Sequence, residues 1–255
     1  MKQLPPVVLA LIAINALIFI LGQLVPDLGN TILTHCALFF PKNDSFHVGQ
    51  LVSYMFLHGN FTHILFNMFA LASFGAPLTT IWGWQRFLIF YFATGIGAAL
   101  IYTAANYYQF AGAYEVLLDA GFGADAIASL LDTFKADSTL AAKVPRETME
   151  TLLGIYHSKA VGASGAIYGI LVAFGVMFPN AKLSLIFLPI PIAAKYFIPV
   201  LVLLDLFSGI TGFSLFGAGI AHFAHVGGAV IGFLIMLYWK KNPPVGFAPK
   251  GRATI

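Results

Sequence analysis

Long apolar runs almost free of charge recur through this sequence, and no other feature limits its fold so severely. In hydrocarbon every backbone N–H and C=O must be satisfied by the protein itself, so a lipid-crossing segment is a helix or a strand of a closed barrel. The runs lie near the ~20 residues that a helix needs to cross, about twice what a barrel strand needs. Six are readable, at about 6–25, 51–78, 86–105, 161–178, 195–212 and 217–239. With 59% hydrophobic and 9% charged residues, the chain is far from a soluble protein, in which about a quarter are charged. The expected fold class is therefore an all-α polytopic membrane protein, a six-transmembrane-helix bundle forming one membrane domain over 1–255. Leu51–Leu57 reads as an entry into the second span. Leu183–Ile192, punctuated by Pro189 and Pro191, reads as an interfacial or re-entrant connector, because proline removes donors and breaks helices. No small-x-small cleavage site follows the first run, so it reads as a retained signal anchor.

The few charges are sorted by side. With the N-terminus inside, Lys2, Arg86, Lys182, Lys195, Lys240, Lys241, Lys250 and Arg252 fall inside with no acid among them. Outside lie Lys42, Lys135, Lys143, Arg146 and Lys159 against nine acids, Asp27 through Glu150. This partition obeys the positive-inside rule and puts both termini in the cytoplasm; the expected location is a cell membrane, that of a bacterium. Cys36 is the only cysteine, which excludes an intrachain disulfide and a cysteine metal cluster.

Between spans three and four, residues 106–160 form an extracytoplasmic insertion with two amphipathic patterns. Ile127, Leu130, Leu131 and Phe134 follow helical spacing, as do Met149, Leu152, Leu153 and Tyr156. Pro145 suits the first turn of the second helix. The favoured reading is a helix pair lying on the outer leaflet or on the bundle, ahead of a cap that contacts substrate.

Polar side chains inside the spans carry the chemistry, since their burial in lipid is costly and defaults to a functional reading. Span four opens with Gly162-Ala-Ser-Gly, and Ser164 shares a helix face with Tyr168. Gly165 and Gly169 make a small-xxx-small ridge, and Gly228 and Gly232 make another beside His225 in span six. A serine hydroxyl is a weak nucleophile until a base takes its proton. Ser164 alone reads as a packing serine and His225 alone as a packing histidine. Both lie in the outer half, His225 roughly 12 Å below the outer end, and glycine-faced helices approach closely enough to join them. His222, one turn above, is the rival base and ranks behind His225. In span two, His63 and Asn67 share a face. They suit either donation to a developing oxyanion or an interhelical hydrogen bond. His58 reads as a cap or prop of the preceding loop. Asp205, the only acid within a span, is weighed as a third member of the site and disfavoured, because no motif aligns span five.

Taken in order on three spans, His63-xxx-Asn67, Gly-Ala-Ser-Gly with Tyr168, and Ala-His-xx-His-x-Gly-Gly-xxx-Gly ending at Gly232 resemble the rhomboid intramembrane serine proteases. The resemblance covers essentially all six spans and implies a rhomboid-like bundle with an outer-side helical insertion. It implies Ser164 as nucleophile, His225 as general base, and Tyr168 stacked on the histidine ring. His63, Asn67 and the Ser164 N–H would form the oxyanion hole of a Ser-His dyad that works through an acyl-enzyme. Its substrates would be single-span membrane proteins cut near the outer face, with Phe66 and Phe207 flanking a lateral gate. No cofactor, metal or nucleic acid is called for; the lipid bilayer and the substrates are the expected partners. The chain departs from the family at Gly49-Gln50, where a Trp-Arg pair is usual, at Thr79-Thr80, where a Glu is usual, and in the size of its insertion. A catalytically silent client-binding relative would be expected to lack Ser164 or His225. A transporter would need polar lining across the whole bilayer, but these residues crowd into one half. The zinc class lacks its HExxH, and the aspartyl class needs two intramembrane acids.

Overall fold

The computed structural model describes residues 3–133, 142–185, 188–213 and 221–241. Five of its helices are long and apolar enough to cross a membrane, and a sixth apolar helix is shorter. The first, α1 (Pro6–Leu24), opens on Pro6 at its first helical position. It turns at Pro26 into α2 (Pro26–Cys36), and the two helices meet where Gly29 lies against the backbone of Gly22.

Span two differs from its expected outline. Leu51–Leu57 is not the start of the spanning helix but lies in a separate short element, α3 (Gln50–Ser53) continued by a 3-10 turn (Tyr54–Phe56). The chain breaks after Leu57 and restarts at Asn60, whose side chain accepts the His63 N–H at 2.8 Å as an N-cap. From there α4 (Phe61–Ala70), a π-helical turn (Leu71–Gly75) and α5 (Ala76–Trp82) run on as one 22-residue apolar rod. Pro77 supplies the cause of the wide turn: its ring and missing N–H disrupt the bonding to the preceding helical turn.

Span three, α6 (Trp84–Asp119), is 36 residues long, roughly 54 Å at 1.5 Å per residue. It therefore passes 105, where the insertion was expected to begin, and carries on for almost four more turns. Phe110, Ala113 and Leu117 recur on its buried face, and no proline intervenes before Gly121. There the φ of +94° and the bonds Phe122 N–H to Leu117 O and Gly121 N–H to Leu118 O close a Schellman cap.

The extension of α6 is the platform for the insertion. Helix α7 (Ala124–Thr133) buries Ile127, Leu130 and Leu131, and α8 (Arg146–Tyr156) buries Leu152, Ile155 and Tyr156. With Phe40, Phe110, Leu117, Phe122 and Val144 they form a second core, separate from that of the spans, with Met149 and Leu153 packed against it. The two amphipathic faces thus close on α6. Phe134 lies outside the described residues. Pro145 sits just before the first turn of α8 rather than within it, and its carbonyl accepts the first helical bonds.

Helix α9 (Ser164–Met177) is only 14 residues, roughly 21 Å, and it lies at the centre of the bundle. Gly165, Ala166, Ile167, Gly169, Ile170, Leu171, Ala173 and Phe174 are all buried. Beyond α9, the segment read as a connector, Leu183–Ile192, contains two antiparallel paired strands, β3 (Lys182–Leu185) and β4 (Leu188–Ala193). Prolines two apart place both missing donors on one strand edge, so the other edge still pairs. The bundle is completed by α10 (Ala194–Thr211) and α11 (His222–Lys241). Trp82 and Trp239 pack edge to face, and Phe90 is tilted against both. Leu65, Phe69, Leu203, Ile210, Val230 and Phe233 are exposed on its outside, the surface a bilayer would cover.

Candidate active site

Ser164 is placed by the chain on both sides of it. Upstream, β1 (Leu38–Phe39) pairs with β2 (Lys159–Ala160), which anchors the loop 161–163. Gly162 continues the anchor by donating its N–H to the carbonyl of Tyr54 at 2.9 Å, and the Tyr54 hydroxyl donates to the carbonyl of Gly95 on α6 at 2.8 Å. Gly162 lies before α9, not in a helix contact, and has φ +129°. A Cβ there would meet the His63 Nε2 at 2.7 Å and the Ser164 Oγ at 3.6 Å, so this glycine leaves space that the histidine and serine flank. Downstream, Ser164 is the first residue of α9, and no side chain caps that terminus. The first N–H groups of a helix lack intrahelical acceptors and carry the positive end of its dipole, which favours negative charge beside Ser164.

The glycine ridges bring α11 against α9. A Cβ on Gly228 would stand 1.8 Å from the carbonyl oxygen of Gly165, and one on Gly232 would stand 2.7 Å from the Cα of Gly169. Gly165 and Gly169 are equally closed on their other side, by Ala98 and Thr94 of α6. Backbones touching in this way put His225 over the start of α9. Its Nε2 lies 2.8 Å from the Ser164 Oγ. The ring of Tyr168 is stacked on the imidazole, with centroids 4.3 Å apart and planes 10° from parallel.

Asp205, disfavoured on sequence grounds, stands behind the histidine. It is buried on α10, and its Oδ1 lies 3.0 Å from Nδ1 of His225 and 2.6 Å from Nδ1 of His222. Its Oδ2 accepts the Tyr168 hydroxyl. A signal for this existed: His222 and His225 are three residues apart, hence on one face, where a single neighbouring acid can accept from both. His222 is thus turned to the carboxylate. The donor atoms of Asp205, His222 and His225 all lie within 4.8 Å of one another, a spacing a metal ion can use, but the hydrogen bonds already account for it.

His63 and Asn67 sit one turn apart on α4, with Asn67 buried. His58 lies in the loop before α4, the helix that Asn60 caps. Its ring meets that of His63 edge-on at 5.0 Å, and neither of its nitrogens has a hydrogen-bond partner among the described residues. Burial, with His63 beside it, holds its pKa down to about 3, so it is neutral at physiological pH. Phe66 on α4 and Phe207 on α10 are both exposed. Of the departures noted in the sequence, Gln50 is completely built in: its Nε2 donates to the carbonyls of His35 and Ser45, and its Oε1 accepts the Phe39 N–H. Thr79 and Thr80 bond back to the carbonyls of Gly75 and Ala76. A separate apolar groove, lined by Val172, Val176, Ile198, Val202, Ala229 and Phe233, lies further along α9, α10 and α11 from Ser164.

The Rhomboid domain matches residues 45–242. The chain belongs to the rhomboid family. Presenilin-associated rhomboid-like protein, mitochondrial, from Homo sapiens is 25% identical over 246 residues, 93% of this chain and 51% of the relative. Rhomboid protease AarA from Providencia stuartii is 29% identical over 195 residues, 74% of this chain and 55% of the relative. Rhomboid protein 1, mitochondrial, from Saccharomyces cerevisiae is 26% identical over 192 residues, 75% and 42% of the two chains. This rhomboid chain spans about half the length of the curated relatives it matches. It is a multi-pass membrane protein of a family that includes a named protease.

Proposed function

We propose that this rhomboid protein is an intramembrane serine endopeptidase that cuts single-span membrane proteins near the outer membrane face. The observation that carries the reading is the 2.8 Å approach of His225 Nε2 to Ser164 Oγ, since a serine needs a base at that distance to become a nucleophile. Ser164 attacks a backbone carbonyl of an unwound substrate segment and passes its proton to His225. The Ser164 N–H at the start of α9, with His63 and Asn67, stabilises the oxyanion, each such donor being commonly worth about 2.7–4 kcal/mol. His225 then protonates the leaving amine, and water releases the acyl group. Tyr168 holds the imidazole plane. Substrate enters between α4 and α10, past Phe66 and Phe207, and must unwind there because a helix hides its carbonyls.

The charge partition supports an outward-facing site with cytoplasmic termini. In proteoliposomes holding a single-span test substrate, the parent is expected to cleave it and Ser164→Ala to leave it intact. Equal cleavage by both would refute the serine-protease reading, and no cleavage by either would favour a silent client-binding rhomboid.

A further inference from the structure

Asp205 lies within the apolar run of α10, buried where an ionised carboxyl is costly unless it is paired and hydrogen-bonded. It is fully engaged there. Oδ1 faces the Nδ1 atoms of His225 and His222, at 3.0 and 2.6 Å, and Oδ2 accepts the hydroxyl of Tyr168. We propose that Asp205 is the positioning residue of the site, making Ser164, His225 and Asp205 a triad whose carboxylate comes from α10. The proposal rests on reading Ser164 and His225 as nucleophile and base.

The physical case begins with the tautomer. A neutral imidazole carries one N–H, and His225 can accept the Ser164 proton on Nε2 only if that N–H is on Nδ1. An ionised carboxylate is an acceptor only, so its place opposite Nδ1 selects this tautomer. When Ser164 gives up its proton to Nε2, the ring becomes a cation beside a fixed negative charge in a low-dielectric site, where such a charge is felt strongly. The proton stays on Nε2 until the leaving amine takes it, and Asp205 remains ionised throughout. Tyr168 and His222 aim the carboxylate. Tyr168 stacks on the His225 ring and bonds Asp205 with the same side chain, so ring and acid move as one body. His222 adds a second N–H to Oδ1, which lowers the tendency of that oxygen to take a proton from His225. This gives His222 a use other than the rival base weighed from sequence.

The test measures cleavage in proteoliposomes and the protonation of His225. In the parent, nitrogen-15 shifts of His225 are expected to report the Nδ1–H tautomer, with a low-field Nδ1 proton. A parent ring protonated on Nε2 instead overturns the proposal without any variant. Asp205→Asn is expected to lower kcat by roughly 10²–10⁴-fold, with KM within about threefold, and to remove the low-field proton. Asp205→Glu, which restores an acceptor, is expected to recover part of the rate, a rescue that a purely structural role does not require. If Asp205→Asn cleaves at the parent rate while Ser164→Ala is inactive, the triad fails and the protease reading stands. If Ser164→Ala also cleaves, both fall.

Discussion

At the scale of single residues, the site depends on a few atoms whose neighbours leave them little freedom. Ser164 begins a helix that no side chain caps, beside a glycine whose missing Cβ makes room for His63. Tyr168 performs two tasks, and they can be separated. Tyr168→Phe keeps the stack on His225 but removes the bond to Asp205. It is expected to slow cleavage by about 2–10-fold, the worth of one hydrogen bond of ~0.5–1.5 kcal/mol, whereas Tyr168→Ala loses the stack as well and slows it further. Steady-state cleavage rates of the two variants in one lipid mixture check the ordering. Ser164, His225, His63 and Asn67 were legible in the sequence because each sits in a short motif on an apolar run. Asp205 was not, because its approach depends on how α10 is rotated about its axis, which its own residues do not state. Gln50 was visible only as a departure. That it ties together the end of α2, β1 and the loop at Ser45 is a tertiary fact.

Helices set that geometry, and here the absence of side chains matters more than their presence. Gly228 touches the carbonyl of Gly165 so closely that a Cβ has no place. Gly228→Ala is therefore expected to force α11 away from α9, destabilise the protein by ~1–3 kcal/mol and abolish most cleavage. Gly112→Ala, in the last third of α6 with open space around it, is expected to leave cleavage unchanged and to stabilise by up to about 1 kcal/mol. Thermal unfolding in detergent, followed by activity assays, separates the two. The ridges were readable from their four-residue spacing. Element ends were less so: hydropathy marks where lipid begins, not where a helix stops. α6 therefore ran past 105 until Gly121 capped it, and span two began only at Phe61. The strand pairing within the connector, β3 with β4, was not legible because paired strands beside a bundle leave the same apolar, proline-marked trace as a connector without them.

Across the whole molecule, two cores divide the labour. One holds the spanning helices around α9, and the other packs α7 and α8 on the far end of α6. The sorting of basic and acidic residues predicts which end faces out. In a Cys36→Ala background, an impermeant thiol reagent added to intact cells is expected to label Tyr108→Cys, on the exposed end of α6, and to spare Lys241→Cys. The reverse pattern would invert the topology. Fold class followed from the sequence because few architectures satisfy a lipid-buried backbone; the second core was visible only as two amphipathic faces without a partner. The central claim is that Ser164 is a nucleophile made reactive by His225 within this bundle. Its most direct test is to treat the folded protein with a fluorophosphonate and map the adduct by mass spectrometry. A single adduct on Ser164, absent in Ser164→Ala and strongly reduced in His225→Ala, is the predicted result; an unmodified Ser164 in the parent, or undiminished labelling in His225→Ala, contradicts it.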